Sequence, residues 1–443
     1  MLTFFNIFLG EGFTHILKTF VDISRISFNL ELRQEKYFDI YLFEQLNCNR
    51  GEIMKKERIA LGVITRHLND LHPYEDFLIN AEKYGHKIDT LIIEYNVSAD
   101  PNIIRKLSQY CKIFTFKTEE IGHIHDKLNE LNLSREDIHK LTKTPHQKKY
   151  KMFSYGKARD FVLLTAILME QDYLLFFDSD VYPEILDKKN NQFIYKEIDF
   201  VGTHLKYLNS ENTIVTTSDY TGYFIIPKMN FKHLYDLLFG LQKESVYEYV
   251  IQNDTPVIQE KVEAKIKETN KILGGNMGIN LQKLSYLPPF FSLTLVLNNE
   301  CFLGRGEDTL FGPLIKQSHG RCLDIDVPIF HNCFSNFPEK PNIFEKKILE
   351  RFYYACMGWI IRNPFYNWLH SEYLKDASKI DYDKRYQSIK IGSKAAARYF
   401  QDSRFYRLEK AFKKAYAKLP DDITEFKNLL NSWNNFKNQY TKR

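Results

Sequence analysis

Cysteine is sparse in this chain, with six residues in 443: Cys48, Cys111, Cys301, Cys322, Cys333 and Cys356. None forms a C-x-x-C pair, so a zinc ribbon is excluded, and reduced thiols in a cytoplasm fit better than a disulfide framework. Glycine and proline are few as well, at 19 and 14 residues, which excludes collagen-like and linker-dominated chains. No apolar run reaches the roughly 20 residues of a membrane span. Internal repeats and low-complexity tracts are also lacking. What the chain does have is 35 Phe, 28 Tyr and 44% hydrophobic residues, ample material for a packed core. Its length suggests two or three domains.

The net charge is a modest +5 but unevenly placed. Between Lys384 and Lys418, eleven Lys and Arg face only Asp402 and Glu409, so any attraction to anionic partners belongs there. Tyr399, Phe400, Phe405, Tyr406 and Phe412 are interleaved with those charges. The pattern fits an anionic membrane surface better than single-stranded nucleic acid, and a plain solvated helical face better than either. No nucleic-acid partner is expected. The expected location is cytoplasmic, with peripheral attachment at the inner face of the membrane through 384–418 as a further option.

Met1–Gly10 is apolar but has no basic n-region, and no small-residue cleavage site follows, so it is not expected to act as a signal peptide. Met54 is followed by KKERIALGVITRH, which looks like a fresh start running into a strand. The functional unit is expected to begin near Met54, with 1–53 an extension or a small cap.

From Arg58 onward, short apolar strands alternate with helical spacing, which predicts right-handed crossovers and a mostly parallel sheet. Strands are expected at Ile59–Thr65, Thr90–Tyr95, Lys112–Phe116 and Tyr173–Phe177, and helices at Pro73–Lys83, Asn102–Tyr110 and, strongly amphipathic, Ala158–Gln171. Asp126–Tyr150 reads as a solvated helix plus loop. Further on, strands are expected at Asp199–Gly202, Tyr223–Ile226 and Cys322–Phe330. Helices are expected near Phe231–Gly240, at Gln259–Lys271 (exposed and charged) and from Phe344 onward. The expected organisation is an α/β domain over 54–341 and a helical, basic-aromatic region over 342–443.

Chemistry is concentrated at a few motifs. The buried strand YLLFF ends in Asp178-Ser179-Asp180, and open α/β sheets bind ligands at the carboxyl ends of their strands. A carboxylate pair there suits Mg²⁺ or Mn²⁺ on a diphosphate, because hard oxygens hold the ion while leaving positions for phosphate. Gly304-Arg305-Gly306-Glu307-Asp308-Thr309 is neither a P-loop nor a dinucleotide turn. It reads as a glycine turn into a helix whose first turn carries two acids. Gly274-Gly275-Asn276 precedes it, and His331 ends a predicted strand.

The run Gly156-Lys157-Ala158-Arg159-Asp160, a helix, an apolar strand and Asp178-Ser179-Asp180 resembles the nucleotide-binding half of GT-A glycosyltransferases, from about Ile59 to Asn332. Asp160 stands where Asn is commoner in that fold. The order of Gly274-Gly275 and Gly306-Glu307-Asp308 resembles inverting, galactosyltransferase-like members. The resemblance implies a GT-A-like, Rossmann-type mixed sheet flanked by helices, and transfer of a sugar from a nucleotide-sugar donor to a glycan or lipid-linked acceptor. It implies that Thr65, Arg66, Glu94, Lys157, Arg159, Asp178 and Ser179 border the donor. Asp178, Asp180 and His331 would hold Mn²⁺ or Mg²⁺, Asp308 would act as base with Glu307 beside it, and Gly275 and Asn276 would meet the acceptor. A nucleotidyltransferase acting on a sugar phosphate, or an inactive membrane-docked scaffold, are the alternatives. The first would need a glycine-rich basic loop after the first strand, and none is present.

Overall fold

The apolar run that begins at Ile59 is the centre of the sheet. In the computed structural model, which describes residues 57–144, 154–210, 212–252, 254–259, 266–375 and 381–443, strand β1 (Ile59–Leu68) lies between two parallel neighbours. These are β2 (Thr90–Ala99), flanked in turn by β3 (Lys112–Lys117), and β4 (Tyr173–Phe177). The expected extension 1–53 and the start at Met54 lie outside the described residues.

The later strands extend this sheet and form three smaller ones, and of them sequence patterning captures only the stretch 322–330. After the hairpin region β5 (Val181–Tyr182), β6 (Glu184–Lys189) and β7 (Gln192–Glu197) come β8 (Thr213–Thr217), β9 (Tyr220–Thr221), β10 (Lys267–Glu268) and β11 (Asn276–Asn280). They are followed by β12 (Thr294–Leu297), β13 (Glu300–Leu303), β14 (Arg321–Asp324) and β15 (Ile329–His331). The main sheet has eight strands in the order β10-β14-β8-β11-β4-β1-β2-β3, and the smaller ones are β5-β15-β9, β6-β7 and β12-β13. β11 runs antiparallel to both β4 and β8, and β10 is antiparallel to β14 at the edge, so the sheet is mixed.

Helices cover both faces, as a sheet with apolar strands requires. One face is closed by α1 (Tyr74–Lys83), α2 (Pro101–Leu107) and a later helix, α6. The other is closed by α3 (Gly122–Glu130), α4 (Arg135–Thr142) and α5 (Tyr155–Leu168). Instead of being amphipathic, α5 is buried on every side from Gly156 to Ile167, because the sheet, α3 and later segments pack round it, among them Tyr440, which donates to the Ile167 carbonyl at 2.7 Å. Asp199–Gly202 is not a strand. Asp199 accepts the Gly202 N–H at 2.8 Å and caps helix α6 (Phe200–Leu208).

The expected strand at Tyr223–Ile226 is irregular, and the nearby strand is β9. The expected charged helix at 259–271 is not helical over its described part, 266–271. Cys322–Phe330 is two strands in different sheets, broken at Asp326, whose φ is +51°, and at Pro328. The remaining helices are α7 (Leu234–Gly240), α8 (Tyr247–Gln252), α9 (Glu307–Gln317), α10 (Lys346–Tyr373), α11 (Tyr382–Tyr399) and α12 (Arg407–Tyr440).

Residues Glu57–Arg443 form one compact unit. The last three helices and the turn between α11 and α12 share the core on the α5 face: Phe352 and Phe365 of α10, Ile389 of α11, Phe405 of the turn and Trp433 of α12 are buried there. Trp433 also donates its indole N–H to the Leu287 carbonyl at 2.7 Å. Each such side chain contributes roughly 1.5–3 kcal/mol by burial. Phe400, Phe405 and Phe412 of the basic segment therefore point into protein, and Arg385 and Arg407 pair with Glu244 and Glu300 at 2.7 Å. Among the described residues no helix is long and apolar enough to cross a membrane.

Candidate active site

Strand register brings the sequence motifs together. β11 pairs antiparallel with β4, with Asn276 opposite Phe177, so the next step along both chains sets Gly275 against Asp178. A methyl group on Gly275 would stand 2.5 Å from Asp178 Oδ2 and 2.7 Å from the Tyr220 hydroxyl. Only glycine fits there. The Gly275 N–H donates to that hydroxyl at 3.0 Å. A second pairing, of β5 with β15, sets Val181 opposite His331. Through it His331 Nε2 comes within 3.2 Å of Asp180 Oδ2.

Arg159 is the hub. It lies on α5 with only 4% of its side chain exposed, and it donates to Asp178 Oδ1 (2.8 Å), Glu307 Oε1 (3.0 Å) and the Gly274 carbonyl (2.9 Å). Burial alone would lower its pKa, but Asp178, Glu307 and Asp308 raise it well above the ordinary value. Glu307 is buried and in contact with that guanidinium. Burial first, and the Asp308 charge second, push its carboxyl up, against the pull of Arg159. Asp308 turns the other way and accepts the Gly274 N–H at 2.8 Å. Asp178, Glu307 and Asp308 therefore meet around the 274–275 turn, Glu307 through Arg159.

Asp180 and His331 fit a divalent cation as a pair. Mg²⁺ and Mn²⁺ need only one or two protein ligands where substrate phosphates and water complete the shell, and the Asp180 side chain is 34% exposed. Burial presses the Asp180 carboxyl up, but His331 and then Arg351, 3.9 Å away, outweigh it and hold it below the usual range. Asp178 is drawn to Arg159 instead. Among the described residues no group of three His, Cys, Asp or Glu side chains is arranged around a common ion position. Ser179 is exposed at the tip between the two acids.

Several expected site residues lie elsewhere. Asn276 is 0% exposed, and its amide group is fully engaged. It donates to the carbonyls of Asp219 (3.3 Å) and Val327 (3.2 Å) and meets His204 Nε2 at 3.0 Å. It ties β11 to α6 and to the loops that precede β9 and β15, and is not open to an acceptor. Lys157 points to the opposite side of α5, toward the Leu141 carbonyl (3.2 Å) and Asp160 (3.4 Å), because two residues along a helix turn a side chain about 200° away from Arg159. Asp160 accepts the Phe290 N–H at 2.6 Å, which gives that residue a structural role. Thr65 is buried, with its hydroxyl on the His67 carbonyl at 3.0 Å, and Arg66 is exposed beside it at the end of β1.

Glu94 is sealed in the core at 0% exposure. Thr118 donates to its Oε1, Oε2 has no partner, and burial pushes the carboxyl up to about 9. A carboxyl raised above its unfolded value near 4.5 holds its proton when folded and releases it when unfolded. Stability therefore falls as pH rises from about 4.5 towards 9. Urea titrations of the Glu94→Gln variant at pH 5, 7 and 9 should show a flatter dependence than the parent, by at most about 1.4 kcal/mol per pH unit. Parallel curves would disprove a protonated Glu94.

Sequence reading missed Tyr220, Lys243, Arg305, Arg351 and Arg362. Tyr220 lies between Asp178 and Asp308, and burial followed by both charges drives its hydroxyl pKa well up. Arg351, Gly358, Trp359 and Arg362 are spaced 7, 8 and 11 residues from the first, so they share one face of α10. That spacing was the available signal.

No protein-family model matches the chain, and no curated protein sequence matches it. Solved structures similar to it include the mannosyltransferase PcManGT from Pyrobaculum calidifontis in complex with GDP-Man and Mn²⁺. The two are 13% identical over 82% of this chain and 87% of that one, with a TM-score of 0.33. S. aureus TarS (residues 1–349) is 10% identical over 83% and 91%, with a TM-score of 0.32. Glucosyl-3-phosphoglycerate synthase from Mycobacterium tuberculosis, in complex with Mn²⁺, UDP and phosphoglyceric acid, is 16% identical over 53% and 59%, with a TM-score of 0.27.

Proposed function

We propose that this chain is a glycosyltransferase that moves a sugar from a nucleotide-sugar donor to an acceptor hydroxyl, inverting the anomeric carbon. One observation carries the reading: Asp178, at the carboxyl end of a parallel strand, and the sequence-distant Glu307 and Asp308 converge on a single glycine turn, with the Asp180–His331 pair following directly along the chain. A Mn²⁺ or Mg²⁺ ion held by Asp180 and His331 would neutralise the charge that collects on the departing nucleoside diphosphate. Arg351 stands beside the same carboxylate and adds positive charge there. Gly275 lets Asp178 and Tyr220 sit directly against the turn, and Arg159 holds Asp178 and Glu307 in fixed positions.

Asp308 is the base. It takes the proton of the acceptor hydroxyl as the new C1–O bond forms. The bond from C1 to the diphosphate oxygen breaks, and its electron pair leaves with the nucleoside diphosphate. The Gly274 N–H on Oδ2 keeps the carboxylate oriented for that transfer. Glu307, locked to Arg159, positions the acceptor side of the turn.

The test is a thermal-shift screen of UDP-, GDP-, CMP- and dTDP-sugars with and without Mn²⁺, since a ligand of the native state raises the melting temperature. One nucleotide class should give a metal-dependent shift that disappears in Asp180→Ala. A folded protein that responds to none of them would overturn the reading.

A further inference from the structure

The α10 helix carries more positive charge to the acid cluster than the cluster's own ion pairs use. Arg362 is 7% exposed. Its Nη2 donates to Asn363 Oδ1 at 2.9 Å, while its Nε is buried with no partner. Among the described residues no carboxylate lies within ion-pair distance of it. Its guanidinium lies against Gly306, the residue before Glu307 and Asp308: a methyl group there would stand 3.0 Å from Nη1. Gly306 also has φ +92°, so both backbone and space call for glycine.

Lys243, just beyond α7, reaches the same face of α10, one turn before Arg362. Its ammonium lies 4.9 Å from the Trp359 ring, and it too has no ion pair among the described residues. Burial first, then repulsion by Arg362, lowers its pKa to about 8, while Asp308 pulls the other way. Two half-desolvated cations that repel each other are costly unless an anion joins them. Asp308 attracts both but lies beyond ion-pair distance of either, with its oxygens turned to the N–H groups of Gly274 and Thr309 at 2.8 and 2.7 Å.

We propose that Arg362 and Lys243 form a phosphate-binding subsite for the acceptor, so that the hydroxyl delivered to Asp308 belongs to a molecule bearing a phosphate group. This rests on Asp308 as the base of the transfer described above. A phosphate offers three or four oxygens to a planar guanidinium and a point-charge ammonium, the combination best suited to hold it. Trp359 and Asn363 fix the two cations, the latter by donating to the Leu241 carbonyl at 2.9 Å. The subsite is separate from the Asp180–His331 pair, where Arg351 stands.

The test uses the full chain and calorimetric titration with inorganic phosphate, glycerol 3-phosphate, glycerol and a polyprenyl phosphate in detergent micelles. Phosphate and at least one phosphate ester should bind, and glycerol should not. Whether the soluble or the micellar ester binds more tightly identifies the source of the phosphate. Lys243→Gln, Arg362→Gln and the conservative Arg362→Lys are measured beside the parent, with circular dichroism as the folding check. Each Gln variant should weaken phosphate by about tenfold or more, Arg362→Lys should weaken it less, and nucleotide binding should stay unchanged. Equal phosphate affinity in parent and Lys243→Gln overturns the subsite. Loss of nucleotide binding in the same variants also overturns it, because the cations then serve the donor. If the parent binds phosphate through these residues but binds no nucleotide under any condition, the anion site stands and the sugar-transfer reading fails.

Discussion

Replacing Asp308 by Asn is expected to lower kcat by about 10³-fold while leaving nucleotide-sugar affinity within about twofold of the parent. Asn keeps the shape, and its one amide oxygen can still accept the Gly274 N–H that orients position 308 while the Thr309 N–H loses its acceptor, so the glycine turn is retained. What it loses is the capacity to take a proton. A general base contributes only as the hydroxyl oxygen attacks, so the loss belongs in kcat and not in donor binding. Glu307 does not substitute for it, because its carboxylate is buried against Arg159. Turnover near the parent rate in Asp308→Asn would refute both the base and the inverting stereochemistry.

The second large effect is on stability. Arg159→Met should lower the unfolding free energy by about 3 kcal/mol, the lower end of the range for breaking a buried ion pair, since Asp178 is one-third exposed and partly screened. Three acceptors lose their donor at once: Asp178, Glu307 and the Gly274 carbonyl. Without the guanidinium, the two carboxylates are left close together in a poorly solvated place, and their pKa values rise above those of the unfolded chain. The folded variant then binds more protons than the unfolded one, so its deficit should widen as pH rises and narrow towards pH 5. Urea unfolding at pH 5 and pH 8 distinguishes this from a packing defect, which would give the same deficit at both.

The two halves of the chemistry differed in how far the sequence revealed them. Asp178 and Asp180 were legible because an apolar run of five residues that stops at an acid has few other readings in an α/β pattern. Glu307 and Asp308 were legible because their turn carries two glycines just before the acids. Lys157 was misread because residue type says nothing about helical phase: with Arg159 facing the acids, a side chain two residues earlier must face away. Asn276 was misread because an amide beside a glycine turn suits a ligand and a strand-to-strand tie equally well.

The same division runs through the whole chain. Local patterns, apolar runs bounded by turn residues and acids at strand ends, were enough to set the α/β class, the first four strands of the sheet and the carboxylates of the candidate site, because those signals depend on neighbours a few residues apart. Pairing between segments distant in sequence was not written in any one of them. The antiparallel register of β11 on β4 sets Gly275 against Asp178, the pairing of β15 with β5 delivers His331 to Asp180, and the docking of α10 carries Arg351 and Arg362 to the acids. Each depends on burying one surface against another, and the shape of that partner surface exists only once the chain has folded.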